Sequence, residues 1–426
     1  MKRLLFLLSL CLCPLPLFSQ GPGMSYQDSL LLGKIRQARY VAMQKNVESL
    51  GILHYSDIHG DDISVKELHA FLDKFNPYVD ALLNTGDAVQ FYAEATPSYP
   101  HDARWWAGTG LAEKSLFVLG NHDGAVDSNE KGHHDLSADW DFMGKEWDFD
   151  TYFADYIDDL GYSMPEGYDD PASPYYKSCF WIKDFAGAKI RIVGLDCIHF
   201  NETFRYKTQE QEVWLRKHLL ETLDPDNAVY GYSVIFASHF PLDDFKGDNM
   251  TWDEATHRFI CNRNPDGGRV IDHRTLDATN FNSTTITSYP ADRRFALRTR
   301  IAAPSQQGGF VLSDVNPLGD IIQAWINEGG KYIVWLSGHR HCDMLYYPTK
   351  YPDMLCLAID QAGNMRGNRW ADRSEDPGSR FCANYYSVDT QNGLFKIVRV
   401  GLSRDRFLVE KNVLCYDYVN KKVIYE

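Results

Sequence analysis

Five short motifs rich in acidic, amide and imidazole side chains occur along the chain. In order they are Asp57-Ile58-His59, Gly86-Asp87, Gly120-Asn121-His122-Asp123, Ser238-His239 and Gly338-His339-Arg340-His341. Side chains of these types suit divalent cations such as Zn²⁺, Mn²⁺ and Fe²⁺. The motifs predict a metal centre whose ligands are Asp57, His59, Asp87, Asn121, His239, His339 and His341.

Seven potential ligands are more than one ion needs, so we expect two metal ions. Two cations about 3.5–4 Å apart repel each other and need a shared carboxylate between them. Asp87 is the best candidate for that bridge, because the glycine before it lets the backbone turn. Asp57 and His59 are two residues apart and can face one ion, and His339 and His341 repeat that spacing.

His122 is the histidine that the metal shell does not require. From its place between Asn121 and Asp123 it can reach a substrate, protonate a leaving oxygen or stabilise charge on a transferred group. Asp123 would hold the imidazole in one tautomer and raise its basicity. We therefore expect His122 and Asp123 to act in catalysis and the metals to activate the nucleophile.

A short apolar run precedes each motif, which predicts that each motif lies where a buried strand opens into a loop. The predicted strands cover residues 52–55, 79–83, 115–119, 190–195, 234–237 and 332–336. Predicted helices over 64–75, 208–223 and 320–327 alternate with them. This alternation indicates parallel strand pairing with right-handed crossovers, and therefore an α/β fold.

The composition indicates a packed globular protein with an acidic surface. The chain is 44% hydrophobic and carries 58 acidic against 43 basic residues, a formal net charge of −15. Without a basic stripe, this acidity disfavours a nucleic-acid polymer as partner. A small anionic substrate is compatible with it, since bound cations would supply local positive charge.

Residues 1–19 are typical of a signal peptide. Lys2 and Arg3 precede an apolar run from Leu4 to Leu12, and cleavage is expected after Ser19. That run is too short to span a bilayer, and no later one approaches 18 apolar residues. The sequence thus predicts a secreted or periplasmic protein without a transmembrane segment, and it leaves the oligomeric state open.

The five motifs resemble the signature of the calcineurin-like metallophosphoesterases: D-x-H, G-D, G-N-H-[DE], a single His and G-H-x-H, in that order. The resemblance covers roughly residues 48–400 and implies a four-layer sandwich of two mixed β-sheets flanked by helices. It implies that one metal is bound by Asp57, His59, Asp87 and His341. It implies that the other is bound by Asp87, Asn121, His239 and His339, with His122 as the catalytic histidine.

The resemblance implies hydrolysis of phosphate esters of a small molecule by metal-activated hydroxide. Two alternatives stay open: a metal-binding member without activity that acts as a binding protein, and a dinuclear amidohydrolase. The intact His122–Asp123 pair argues against the first. Gln90 stands three residues after Asp87, where a purple acid phosphatase would have tyrosine, so that branch is disfavoured.

Three further residues are candidate substrate contacts. Arg340 is a candidate because arginine makes bidentate hydrogen bonds to phosphate. His133 and His134 lie in an acidic segment that follows the third motif. The metal identity (Zn, Mn or Fe) and the choice between monoester and diester do not follow from the sequence.

The rest of the chain is expected to surround this core. Residues 20–47 predict an N-terminal helical arm, and 401–426 predict a C-terminal β-hairpin that packs on the domain. Asn392-Gly393 is a strong two-residue turn signal between strands. Residues 244–316 form an insertion whose ends lie near the site, so we expect it to roof the pocket or, alternatively, to pack elsewhere on the surface.

Overall fold

The structure is a computed structural model. It describes residues 26–44, 49–59, 62–88, 112–118, 120, 163–168, 170, 172–173, 175, 178–196, 205–239, 241–242, 250–253, 258–261, 270–271, 317–338, 344–347, 351, 353–359, 361–362, 381–401 and 414–425.

Within these residues the helices are α1 (Tyr26–Gln44), α2 (Asp62–Phe75), α3 (Arg205–Glu221) and α4 (Pro317–Asn327), with short 3-10 turns at Asn76–Tyr78 and Ala112–Lys114. The strands are β1 (Leu50–Tyr55), β2 (Ala81–Asn84), β3 (Ser115–Phe117), β4 (Trp181–Phe185), β5 (Ile190–Gly194), β6 (Ser233–Ala237), β7 (Met250–Asp253), β8 (Arg258–Cys261), β9 (Val270–Ile271), β10 (Lys331–Ser337), β11 (Met344–Tyr346), β12 (Cys356–Ala358), β13 (Cys382–Asp389), β14 (Leu394–Gly401), β15 (Leu414–Asp417) and β16 (Lys422–Tyr425).

The described strands form two large mixed sheets. The first has the order β16-β15-β14-β13-β1-β2-β3, in which only β1, β2 and β3 are parallel. The second has the order β4-β5-β6-β10-β12-β11-β9, in which β5, β6, β10 and β12 are parallel. Strands β7 and β8 pair separately.

The two sheets pack face to face because each has an apolar inner surface. Ile52 and Leu83 of the first sheet and Ile235 and Leu336 of the second belong to one buried cluster. Hydrogen bonds also join the layers, including one of 2.7 Å from the Trp181 indole to the Phe117 carbonyl. Burial of this continuous apolar layer is the main force that holds the sheets together.

Helices cover the outer faces of both sheets. Ile35 of α1 and Leu68 of α2 join the buried cluster on the outer face of the first sheet. On the second sheet, Trp325 of α4 meets Phe236 of β6 edge to face, with ring centroids 6.3 Å apart. The predicted four-layer sandwich of two mixed sheets with outer helices is therefore confirmed.

The strands that carry the motifs lie where the sequence predicts them. Each is a short, buried parallel strand, and its motif begins within three residues of its carboxyl end. Because parallel strands point the same way, their carboxyl ends meet at one end of the sandwich. This arrangement brings distant parts of the sequence together.

Near the chain ends, α1 forms the described part of the N-terminal arm, and β15 and β16 pair across the Asn420-Lys421 turn. That hairpin extends the first sheet beyond β14. Within 244–316 the structure describes β7, β8 and β9, and β9 adds an edge strand to the second sheet. Among the described helices, none is long and apolar enough to span a membrane.

Candidate metal centre

The first motif follows β1, and its backbone has an unusual conformation. Asp57 and His59 have φ angles of 56° and 51°, in the left-handed region that few non-glycine residues enter. Two hydrogen bonds of 2.9 Å hold it there, from Asp57 N to the Gly86 carbonyl and from His59 N to the Asp87 carbonyl. The loops after β1 and β2 are therefore fixed to each other. Strained backbone of this kind is concentrated at functional sites.

Asp87 lies at the centre of the described site and is also in the left-handed region, with a φ of 54°. Its Oδ2 atom is 3.2 Å from Nε2 of His239 and 3.9 Å from Nε2 of His59. His59 follows a strand of the first sheet and His239 follows a strand of the second. One carboxylate oxygen thus faces an imidazole from each sheet.

Asp57 completes the group on the side of His59. Its Oδ1 atom is 3.7 Å from His59 Nε2. One ligand atom from each of Asp57, His59 and Asp87 lies within 4.8 Å of the other two, and all three residues are buried. This spacing is compatible with coordination of a single ion.

His239 is oriented by the backbone of the loop after β2. Its Nδ1 is 2.7 Å from the Thr85 carbonyl, to which it donates, so Nε2 faces Asp87. Burial lowers the pKa of His239, but the Asp87 carboxylate and, from further away, Asp57 raise it to about 9. The site thus favours a positive charge beside these carboxylates, and a bound cation would displace the imidazole proton.

Gly120, in the third motif, is in direct contact with Asp87. A side-chain carbon at Gly120 would overlap both the backbone and the carboxylate of Asp87. Gly86, with a φ of 101°, has no room for one either, since it would lie 2.6 Å from Gly120 N. The residue that immediately precedes Asn121 is therefore packed against the central carboxylate.

Gly338, in the fifth motif, is packed against the carboxylate of Asp57 in the way that Gly120 is packed against that of Asp87. A side-chain carbon there would overlap Ser56 and lie 2.5 Å from Oδ2 of Asp57. Gly338 N also donates a 3.1 Å hydrogen bond to the His239 carbonyl. The residue before His339 is thus fixed between the first and fourth motifs.

The structure therefore brings together Asp57, His59, Asp87 and His239. The other predicted site residues, namely Asn121, His122, Asp123, His133, His134, His339, Arg340 and His341, lie outside the described residues. Their roles stay predictions, as do the ligand assignments of the four that are described.

These four side chains fit a divalent cation in chemical terms. Two carboxylates and two imidazoles are buried together at the junction of the sheets. Burying carboxylate charge is costly without a compensating cation. Mixed carboxylate and imidazole donors accept Zn²⁺, Mn²⁺ and Fe²⁺.

A buried polar cluster behind the site was not predicted from the sequence. His54 of β1 lies with Nδ1 2.8 Å from the Tyr386 hydroxyl and Nε2 2.9 Å from the Thr85 hydroxyl. His54 lies within the run 52–55 that predicts the first strand, and no role in the site follows from its position there. A polar residue inside an otherwise apolar run was the one signal, and nothing in the sequence links it to Tyr386, 332 positions away.

His54 gives the metal-free protein a specific sensitivity to acid. Burial and the nearby Arg399 lower its pKa, against an opposing effect of Asp57, to about 3. The unfolded chain, with a histidine pKa near 6.5, binds a proton that the folded chain rejects, so stability is lost as pH falls from about 6.5 towards 3. We expect the free energy of unfolding to fall by up to about 1.4 kcal/mol per pH unit more in wild type than in His54→Gln.

Urea unfolding in chelator between pH 5.5 and 4.5 measures this difference. Equal slopes in the two proteins would show that His54 is already protonated in the folded state.

Comparison with solved structures gives distant similarities. A dimetal phosphatase from Danio rerio is 9% identical, with 83% of this chain and 97% of that chain aligned and a TM-score of 0.41. GAP50, the anchor in the inner membrane complex of Plasmodium, is 13% identical, with 83% and 84% aligned and a TM-score of 0.37. A search of proteins with curated functions found no significant match.

The comparison with protein families is more informative. The model of the calcineurin-like phosphoesterases matches residues 50–270, just over half of the 426-residue chain. The matched range contains the first four motifs, and with them all four side chains that meet at the described site. The chain belongs to the calcineurin-like phosphoesterase family.

Proposed function

We propose that this chain is an exported phosphoesterase that uses two divalent metal ions to hydrolyse phosphate esters of a small molecule. The observation that carries the proposal is the position of Asp87, whose Oδ2 faces both His239 and His59 at 3.2 and 3.9 Å. A carboxylate with one imidazole on each side is placed where it could bridge two cations, and a two-ion centre needs such a bridge. The signal-like segment at residues 1–19 supports export.

The ligand assignment follows the motifs. Asp57, His59 and Asp87, together with His341, would hold one ion. Asp87 and His239, together with Asn121 and His339, would hold the other. When bound, the two ions would lower the pKa of a water molecule and stabilise negative charge on the phosphoryl oxygens.

The remaining residues position the substrate and move protons. His122 would donate a proton to the leaving oxygen, and Asp123 would fix the tautomer in which it can do so. The Thr85 carbonyl accepts a hydrogen bond from Nδ1–H of His239, which leaves Nε2 to act as a ligand. Because the described ligands are buried, charge interactions at the site are screened less than they would be in water.

The test is an assay of the mature protein, first stripped with a chelator and then supplied with Mn²⁺, Zn²⁺ or Fe²⁺. An aryl phosphate monoester and an aryl phosphate diester are the substrates, and an aryl amide is the competing one. We expect metal-dependent cleavage of at least one phosphate ester and none of the amide. Cleavage of the amide alone would favour an amidohydrolase.

A matched pair of histidine variants makes the assay specific to the site. His239→Gln should lose metal-dependent turnover. His218→Gln should keep it, because His218 lies on α3 and pairs with Glu221 at 2.9 Å, away from the site. Two bound metals without turnover on any ester would favour a binding protein instead.

A further inference from the structure

Hydrogen bonds on the two sides of Thr85 link a buried polar cluster to the candidate metal centre. Asn384 Nδ2 donates to the Tyr386 hydroxyl at 3.2 Å, and that hydroxyl is 2.8 Å from His54 Nδ1. His54 Nε2 is 2.9 Å from the Thr85 hydroxyl. The Thr85 carbonyl accepts a hydrogen bond from Nδ1–H of His239, with 2.7 Å between nitrogen and oxygen. The side chains of His54, Asn384 and Tyr386 therefore connect through Thr85 to a candidate metal ligand.

Thr85 is the link between the two halves of this chain, and it is held at three points. Its N–H donates to the Tyr55 carbonyl at 3.1 Å, its hydroxyl contacts His54, and its carbonyl contacts His239. It also lies two residues before Asp87, in the same loop. A shift of Thr85 would therefore move both His239 and the loop that carries the shared carboxylate.

The competing explanation is that His54 is only a core residue with satisfied hydrogen bonds. A purely structural role would be served by an apolar side chain in β1, since Ile52 and Leu50 on the same face are apolar and buried. A buried histidine at this position needs hydrogen-bond partners for both ring nitrogens, and it has them in the Tyr386 hydroxyl on β13 and the Thr85 hydroxyl in the loop after β2. One of these partners is the residue that orients His239, which favours a role in the site.

We propose that His54 is a positioning residue for the metal centre, acting through Thr85 to fix the imidazole of His239 and the loop of Asp87. This inference rests on the proposed two-metal function. His54 itself is not a ligand, since both its ring nitrogens are engaged by hydroxyl groups. Groups that orient a ligand from behind typically contribute 10- to 100-fold in metal affinity.

The sharpest test is Thr85→Val, which keeps the backbone carbonyl and the size of the side chain but removes the hydroxyl that meets His54. Mn²⁺ titration followed by electron paramagnetic resonance reports binding without any assay of activity. We expect the Mn²⁺ site that includes His239 to weaken by about 10- to 100-fold, and the other site, which shares only Asp87 with it, to weaken less. Thr85→Ser restores the hydroxyl and should bind Mn²⁺ nearly as wild type does.

Two further variants separate positioning from packing. Tyr386→Phe removes the other partner of His54 and should weaken the same Mn²⁺ site, by less than Thr85→Val does. Thr222→Val is the control, because it also removes a buried hydroxyl, one bonded to the Trp325 indole at 3.0 Å and to the Leu219 carbonyl. It should lower stability and leave Mn²⁺ affinity unchanged.

The outcomes distinguish this inference from the function it rests on. Wild-type protein that binds two Mn²⁺ ions while Thr85→Val binds them equally well would overturn the positioning role alone. Equal weakening in Thr85→Val and Thr222→Val would overturn it too, since general loss of packing would then be the cause. Wild-type protein that binds none of Mn²⁺, Zn²⁺ and Fe²⁺ would overturn the proposed function and this inference with it.

Discussion

Replacing Asp87 with asparagine is expected to lower the occupancy of both metal sites. The substitution keeps the size of the side chain but removes the negative charge of the oxygen that faces His59 and His239. Because that charge offsets the repulsion between two cations, its loss should weaken both sites by at least about 100-fold. Hydrolysis should fall to the rate of the chelated protein. Elemental analysis after gel filtration measures the metal content directly.

Asp184→Asn is the matched control for this experiment. Asp184 pairs with Arg191 at 2.8 Å on β4 and β5, so its loss removes a carboxylate charge elsewhere in the same fold. The control should keep two equivalents of metal. Two full equivalents in Asp87→Asn would refute the bridging assignment.

Replacing His122 with alanine is expected to have the opposite signature, with both metals retained and turnover lost. If His122 protonates the leaving oxygen, its removal should lower kcat by about 10²- to 10⁴-fold. The loss should be smaller for an aryl ester than for an alkyl ester. A phenolate is a better leaving group than an alkoxide, so its departure depends less on a proton donor. Steady-state kinetics on one ester of each kind measures this difference.

Added imidazole provides a second check on His122. Free imidazole should partly restore turnover of the alkyl ester by His122→Ala, because it can supply the missing proton donor. A variant that cleaves both esters at wild-type rates would remove His122 from the mechanism. A variant that also loses its metals would show that His122 acts as a ligand.

Several elements could be predicted from the sequence because their signals are local. The apolar run before Asp57 and the run before Gly338 each predicted a buried strand, and β1 and β10 lie there. Asn392-Gly393 predicted a turn between two strands, and it lies in the loop 390–393 that joins β13 to β14, which is longer than the two residues expected. Each of these signals depends only on the types of a few adjacent residues: a short apolar run for a buried strand, and Asn-Gly for a turn.

The order of strands in the sheets could not be predicted in this way. Strand β1 pairs with β2 on one side and with β13 on the other, in a register that places His54 opposite Asn384. Nothing local to β1 specifies a partner more than 300 residues away. That pairing depends on the summed burial of both strands, and it is what brings Tyr386 to His54.

The backbone conformation of the loops that carry the candidate metal ligands could not be predicted from the sequence either. Spacing predicted that Asp57 and His59 share one ion, but it gave no sign that both residues have a positive φ. That conformation depends on the hydrogen bonds that the Gly86 and Asp87 carbonyls accept from the first loop. Such bonds form only once β1 and β2 are paired.

The most direct test of a two-ion centre on Asp87 is anomalous diffraction from crystals of the Mn²⁺-loaded protein. Two anomalous peaks about 3.5–4 Å apart are expected, with the Asp87 carboxylate between them. His59 should lie beside one peak and His239 beside the other. A single peak, or peaks that Asp87 does not contact, would contradict the two-metal assignment.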